Sequence, residues 1–262
     1  MTVAGKIGGA AIGQWKSTAY LAGILFATAR MALMPRYWPR TVRDVLARQI
    51  FFTGVEATRF IALIAVVVGL SVVLQAHVWL TRVGQSALVG PLLVAVIIRE
   101  LGPLLTNFVV IGRSGTAITT ELATMRVNNE IRTLDAQGLD PFSYLVLPRV
   151  IGVMVSVFCL TVIFIVVSFV SGYGFAAAMG AAPGGPALFA QGVFSSVAPT
   201  DIVNLLAKTA IPGMLTGAIC CKEGLSIEGA ATDVPQAAGR AVVRSVGALF
   251  LSSAAVSVWT YL

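Results

Sequence analysis

Arg99 and Glu100 stand where the surrounding chain gives no reason for charge. Apolar residues run from Ala87 to Ile98 and resume from Leu101 to Ile111. A charge at bilayer depth costs ~2.5–3.5 kcal/mol on insertion scales, so such residues face a bundle interior or a wet cavity. Successive helical residues point about 100° apart, so these two need not pair with each other. Gly102 and Pro103 follow at once, a place where a helix bends and frees backbone groups. Lys208 is a third charge of this kind, after Asp201 and just before Ile211-Pro-Gly213. Near a helix end a lysine snorkels to the interface. Facing a cavity, it attracts a lipid phosphate as a point charge, or pairs with Glu100 when the cavity is empty. Two chemistries are open: ion pairs that hold packed helices together, or the polar part of a lipid site formed by Arg99, Glu100 and Lys208. The walls of such a site would be Val73, Leu80 and Leu101.

Composition fixes the class of element that carries these charges. With 57% hydrophobic and 11% charged residues and a mean hydropathy of +0.90, this is a membrane chain. Five apolar stretches are long enough to span: Phe60–Leu80, the interrupted Ser86–Ile111, about Tyr144–Val170, Ile202–Cys221 and Ala241–Leu262. Trp259 and Tyr261 suit an interfacial belt at the end of the last. The expected fold is an all-α integral membrane protein.

Basic residues set the orientation. Lys6, Lys16, Arg30, Arg36, Arg40, Arg43, Arg48 and Arg59 precede the first span. Arg113, Arg126 and Arg132 lie between the second and third, and Lys222 and Arg240 between the fourth and fifth. The alternate connections hold only Arg82. The positive-inside rule puts the N-terminus in the cytoplasm and the C-terminus outside. The net charge of +7 is then a topology signal spread over separate segments, not a nucleic-acid footprint.

Residues 1–55 form an N-terminal interfacial region ahead of a five-span unit, 56–262. Tyr20–Ala29 is too short to span, although a re-entrant Ser17–Met34 is an alternative. Trp15, Tyr20, Tyr37 and Trp38 favour the interface, with Pro35 and Pro39 breaking the chain. From Thr41, apolar Val42, Val45, Leu46 and Ile50 recur opposite Arg43, Asp44 and Arg48, as in an amphipathic helix lying on the cytoplasmic leaflet. Between spans two and three, Thr116–Gln137 reads as one helix with an apolar stripe of Leu122, Met125, Ile131 and Leu134 and an Arg126–Glu130 pair. It either rests on the membrane or docks in a cytosolic partner.

Arg99-Glu-Leu-Gly-Pro103, Gly112-Arg-Ser-Gly115, Glu121-Leu-Ala-Thr-Met-Arg126, Gly138-Leu-Asp-Pro141 and Pro148-Arg149 occur in this order, and the set resembles the MlaE/YrbE family. These are permease subunits of ABC transporters that work with MCE proteins. The resemblance extends over about residues 40–262, including the Gly-rich segment Gly224–Gly239. It implies a homodimer in the bacterial inner membrane that moves phospholipids or related lipids to or from a periplasmic MCE-domain carrier. A cytosolic ABC ATPase, with a small STAS-type subunit as a further partner, would drive it. Glu121–Gly138 becomes the coupling helix, with Glu121, Met125, Arg126, Glu130, Arg132 and Asp135 as its contacts. The family's lipid pocket lies at the dimer interface near the periplasmic side, partly from spans one and two.

No Gly-x-x-x-x-Gly-Lys-Ser/Thr loop occurs, so the chain cradles no ATP phosphate by itself. ATP and magnesium are expected on the partner ATPase, and no cofactor in this chain. Cys159, Cys220 and Cys221 lack metal-ligand spacing, and His77 reads as a polar residue at a membrane edge. No nucleophile–base pair or carboxylate dyad suggests covalent chemistry. The rival classes are an ion- or proton-coupled secondary transporter, in which Glu100 and Lys208 relay charge, and a membrane scaffold for an MCE assembly. Inverted repeats would favour the transporter, and the two halves show no similarity.

Overall fold

The computed structural model describes residues 19–84, 89–179, 185–227 and 231–261. Residues 1–18, 85–88, 180–184, 228–230 and 262 lie outside this description, as do the side chains of Thr81 and Tyr261. Lys6, Trp15, Lys16, Ser17 and Ser86, to which the sequence assigns basic, interfacial and span-boundary roles, therefore fall outside it. The described chain is helical throughout its regular structure. Five stretches are long and apolar enough to cross a membrane: Arg40–Leu80, Val89–Val127, Phe142–Ala178, Pro199–Leu225 and Ala231–Thr260. The all-α, five-span fold expected from the sequence is the one observed.

Helix α1 (Ala19–Ala32) is apolar but too short to span. It buries Ile24 and Thr28, and the Trp38 indole Nε1 donates to its last carbonyl, Ala32 O, at 3.1 Å. Helix α2 (Arg40–Ile50) starts after Pro39 and buries Val42 and Gln49. It runs through one wide π-type turn, Phe51–Val55, and leads into α3 (Thr58–Arg82). Its apolar stripe meets protein. Gln49 packs where Gly152 has no side chain, since a Cβ at 152 would lie 2.7 Å from Gln49 Cγ.

Helix α4 (Val89–Val127) widens into π-type turns at Val94–Leu101 and Ile111–Gly115. The single helix predicted for Thr116–Gln137 is instead two. Asn129 takes φ 58°, a left-handed conformation that asparagine tolerates, and α5 (Glu130–Ala136) begins after it. The break takes Arg126 and Glu130 out of i,i+4 register. The predicted pair does not form, and Glu130 accepts from Asn128 Nδ2 at 3.2 Å.

Helix α6 (Phe142–Ala178) packs against α2, α3, α4 and α8 (Pro199–Leu225). Apolar lipid gives helices no hydrophobic reason to associate, so close approach must supply dispersion contacts instead. Glycine permits it here: a Cβ on Gly69 would lie 2.2 Å from the Ser168 carbonyl, and one on Gly217 2.8 Å from Val150 Cα. A short helix, α7 (Pro186–Ser196), joins α6 to α8, and α9 (Val234–Tyr261) closes the bundle.

One end of the bundle is basic and tied by ion pairs. Arg113 reaches Glu56 at 2.8 Å and the Phe52 carbonyl at 2.8 Å. Arg149 meets Glu121 at 2.8 Å, and the buried Glu223 is held by Arg244 and, at 3.5 Å, by Arg240. The opposite end carries α7.

Candidate functional site

Two prolines shape the charged seam between α4 and α8. A proline has no N–H, so the carbonyl four residues before it loses its usual helical donor. Pro103 deprives Arg99 O in this way, and Pro212, inside α8, deprives Lys208 O. Each vacancy is filled from the facing helix. Lys208 Nζ donates to Arg99 O at 2.9 Å. Asn107 Nδ2 donates to Lys208 O at 3.3 Å and to Pro103 O at 2.8 Å. The helix irregularity and the buried polar side chains are thus one arrangement, as expected where water cannot satisfy the backbone.

The charges interlock in the same seam. Arg99 Nε lies 2.7 Å from Asp201 Oδ1, and Arg99 Nη2 donates to Oδ2 at 3.2 Å. That carboxylate also caps α8, accepting from the Ala198 N–H at 2.9 Å. Lys208 Nζ lies 2.5 Å from Glu100 Oε1, which also accepts from Ser257 Oγ of α9 at 3.2 Å. Exposure is asymmetric. The side chains of Asp201 and Lys208 are 1% exposed, whereas those of Arg99 and Glu100 are 30% and 48% exposed. Helix α8 therefore contributes the sealed partners and α4 the accessible ones. Lys208 does not snorkel; it is the fully buried centre of the seam.

Arg99, Glu100 and Lys208 are brought together as the sequence predicts, and Leu101 beside them is partly buried. Leu80 is also partly buried. Val73 is buried in a different seam, between α3 and α6, where it fills the space left by Gly172. Asp201, Asn107 and Ser257 were not predicted as members. The signal for Asn107 is an amide inside an apolar run, and the carbonyl it serves lies on the facing helix, four residues before Pro212.

The coupling residues divide. Glu121 is tied to Arg149, which is buried and also donates to Leu145 O at 3.0 Å. Met125 lines a cavity of about 480 Å³ between α2, α4 and α6. Arg126, Glu130, Arg132 and Asp135 are exposed at the basic end. The apolar stripe beneath them is absorbed by the core, with Leu122 and Ile131 buried and Met125 and Leu134 packed on them.

A bundle of five membrane-length helices, with a paired charge seam at its middle and exposed charge on a broken helix at one end, defines a multi-pass membrane protein of the transporter type. The chain belongs to the MlaE permease family, whose model matches residues 46–259. It is similar to a probable ABC transporter permease protein of Rickettsia conorii, 29% identical over 87% of each chain. A probable ABC transporter permease protein of Synechocystis is 30% identical over 78% of this chain and 77% of its own. The chloroplastic Protein trigalactosyldiacylglycerol 1 of Arabidopsis thaliana is 30% identical over 84% of this chain and 61% of its own.

Proposed function

We propose that this chain is the membrane subunit of an ATP-driven transporter that moves phospholipids or related lipids between the bacterial inner membrane and a periplasmic MCE-domain carrier. The family match over residues 46–259 carries the reading. The chloroplastic relative is named for a diacyl lipid, which supports a substrate of that class. In this reading the basic end is cytoplasmic, by the positive-inside rule, and the C-terminus is periplasmic. The chain performs no covalent chemistry; ATP and magnesium bind to the ATPase, on which a STAS-type subunit would sit. Two copies form a two-fold dimer, so that the accessible sides of Arg99 and Glu100 face a shared cavity. There Arg99 meets a lipid phosphate, Glu100 an ammonium head, and Leu101 and Leu80 the chains.

Coupling follows from the strut at the basic end. The ATPase docks on Arg126, Glu130, Arg132 and Asp135. Because Glu121 is pinned to Arg149, a shift of that segment draws on α6 and hence on every helix packed against it.

The test is transfer of labelled phospholipid from vesicles to the MCE protein by the reconstituted assembly. Transfer should require ATP. The double reversal Glu130→Lys, Arg132→Glu should weaken ATPase binding by about tenfold, as loss of complementary interface charge does, without disturbing insertion, since both residues are exposed. ATP-independent transfer, or ion uptake without lipid movement, would refute the permease reading. Undiminished ATPase binding by the double reversal would move the docking site elsewhere.

A further inference from the structure

We propose that the cleft beneath α7 is a second lipid site, one that takes a single acyl chain of a glycerophospholipid with its phosphate toward Arg99. The inference rests on the lipid-permease reading. It places an acyl chain beneath α7, beside the cavity shared by two copies, with Arg99 at the border of both.

The cleft has a volume of about 490 Å³ and lies between α4, α6 and α7 at the end opposite the basic one. Ile98, Phe169, Tyr173, Phe189, Val193 and Val197 line it. Its roof is fastened along both edges. On the α6 side the Phe189 ring sits 5.0 Å from that of Tyr173 and meets Phe169 edge-on at 6.4 Å. On the α4 side the backbones of Gly90 and Gly192 touch, since a Cβ on Gly90 would lie 2.6 Å from Gly192 O. Helix α7 thus bridges the gap between two spans instead of lying on either.

Three observations select the occupant. The lining is aliphatic and aromatic, and an apolar space of this kind does not hold ordered water. A helix about 10–12 Å across cannot enter below a roof that is held at both edges, whereas one flexible chain can. The volume is toward the lower part of the ~300–1,000 Å³ range of small-molecule sites, room for a chain but not for a whole two-tailed lipid. The head is selected by what borders the cleft. Ile98 precedes Arg99, and Val197 precedes Ala198, whose N–H is bonded to Asp201. Along the chain these two lining residues adjoin the Arg99–Asp201 pair, whose guanidinium remains 30% exposed. A planar guanidinium suits a phosphate oxygen. The surrounding bilayer offers an acyl chain the same apolar medium, so burial alone gives no preference for the cleft. Preference must come from the phosphate contact and from packing under the roof.

The experiment uses the full chain in nanodiscs of phosphatidylethanolamine and phosphatidylglycerol, doped with phosphatidylethanolamine bearing a photoactivatable group on one acyl chain. Crosslinked peptides are mapped by mass spectrometry. Labelling should concentrate on residues 165–173 and 186–197. It should be competed by unlabelled phospholipid but not by an uncharged maltoside of equal chain length. Ala190→Trp, which fills the cleft, should lower it by about threefold or more, the scale of one polar contact in a membrane. Labelling of the exposed α3 face around Phe60, Leu63 and Val67 measures ordinary boundary lipid and should not change. Cleft labelling no stronger than that of the α3 face, or competed equally by the maltoside, would overturn the proposal. Competition in the unsubstituted chain decides the matter should Ala190→Trp fail to fold. The measurement needs neither ATP nor a partner, so an empty cleft beside intact ATP-driven transfer would sink this inference and leave the permease reading standing.

Discussion

Glu100→Leu is expected to destabilise the protein more than Lys208→Met, although Glu100 is the more exposed member of the pair. The substitution leaves the Lys208 ammonium at 1% exposure with only the Arg99 carbonyl as acceptor. Stranding a buried charge in this way costs about 3–5 kcal/mol. Deprotonation of the lysine sets the ceiling, because a buried group that cannot be solvated neutralises instead. Lys208→Met leaves a carboxylate that is 48% exposed and still accepts from Ser257. Its cost is the orphaned Arg99 carbonyl, about 1–3 kcal/mol. Combining the two substitutions removes both charges and should recover much of the loss caused by Glu100→Leu, a coupling that a double-mutant cycle of thermal melts in nanodiscs reads directly. Equal stability of Glu100→Leu and the unsubstituted protein would show that Lys208 is satisfied by something other than Glu100. The double variant also separates two roles. If it folds but transfers no lipid, the charges serve the cargo; if it folds and transfers normally, they are a strut.

The pieces of this seam were legible to different degrees. Arg99, Glu100 and Lys208 are conspicuous because they interrupt apolar runs, and the energetics of charge in lipid force them inward. Their partners are less so. Asp201 lies about two turns, or ~10 Å, from Lys208 along α8, so adjacent residues of α4 diverge to reach both. No local pattern encodes that crossing. The seam that Val73 makes with α6 was hidden for a related reason: α3 is apolar on every side, and such a helix does not announce which face meets protein. In α2 the apolar stripe was visible but its neighbour was not, since a stripe packs as well on lipid as on α6. The clue was Gln49, a polar residue within the buried stripe, set against Gly152. The break at Asn129 was hidden by apolar residues that keep their spacing across it, although consecutive asparagines are suited to a left-handed turn.

Asn107→Leu should lower stability by about 1–3 kcal/mol, the cost of leaving a buried acceptor unpaired, and the loss should depend on a residue of another helix. Asn107 is buried and supplies the Lys208 carbonyl with the donor that Pro212 withholds. In a Pro212→Ala background the restored N–H at position 212 takes that carbonyl in the ordinary helical way. Asn107→Leu then strands no carbonyl, because residue 107 keeps its backbone N–H for Pro103 O, and its effect should shrink by at least ~0.5 kcal/mol, the level at which contacting residues depart from additivity. Pro212→Ala alone should straighten α8 and relax its hold on α4, so its effect on lipid transfer is expected to exceed its effect on stability. Melting curves of the four proteins in nanodiscs check the cycle. Strict additivity would mean that the Asn107 amide does not substitute for the missing backbone donor. The coupling between α4 and α8 would then have to rest on the Arg99–Asp201 and Glu100–Lys208 pairs alone.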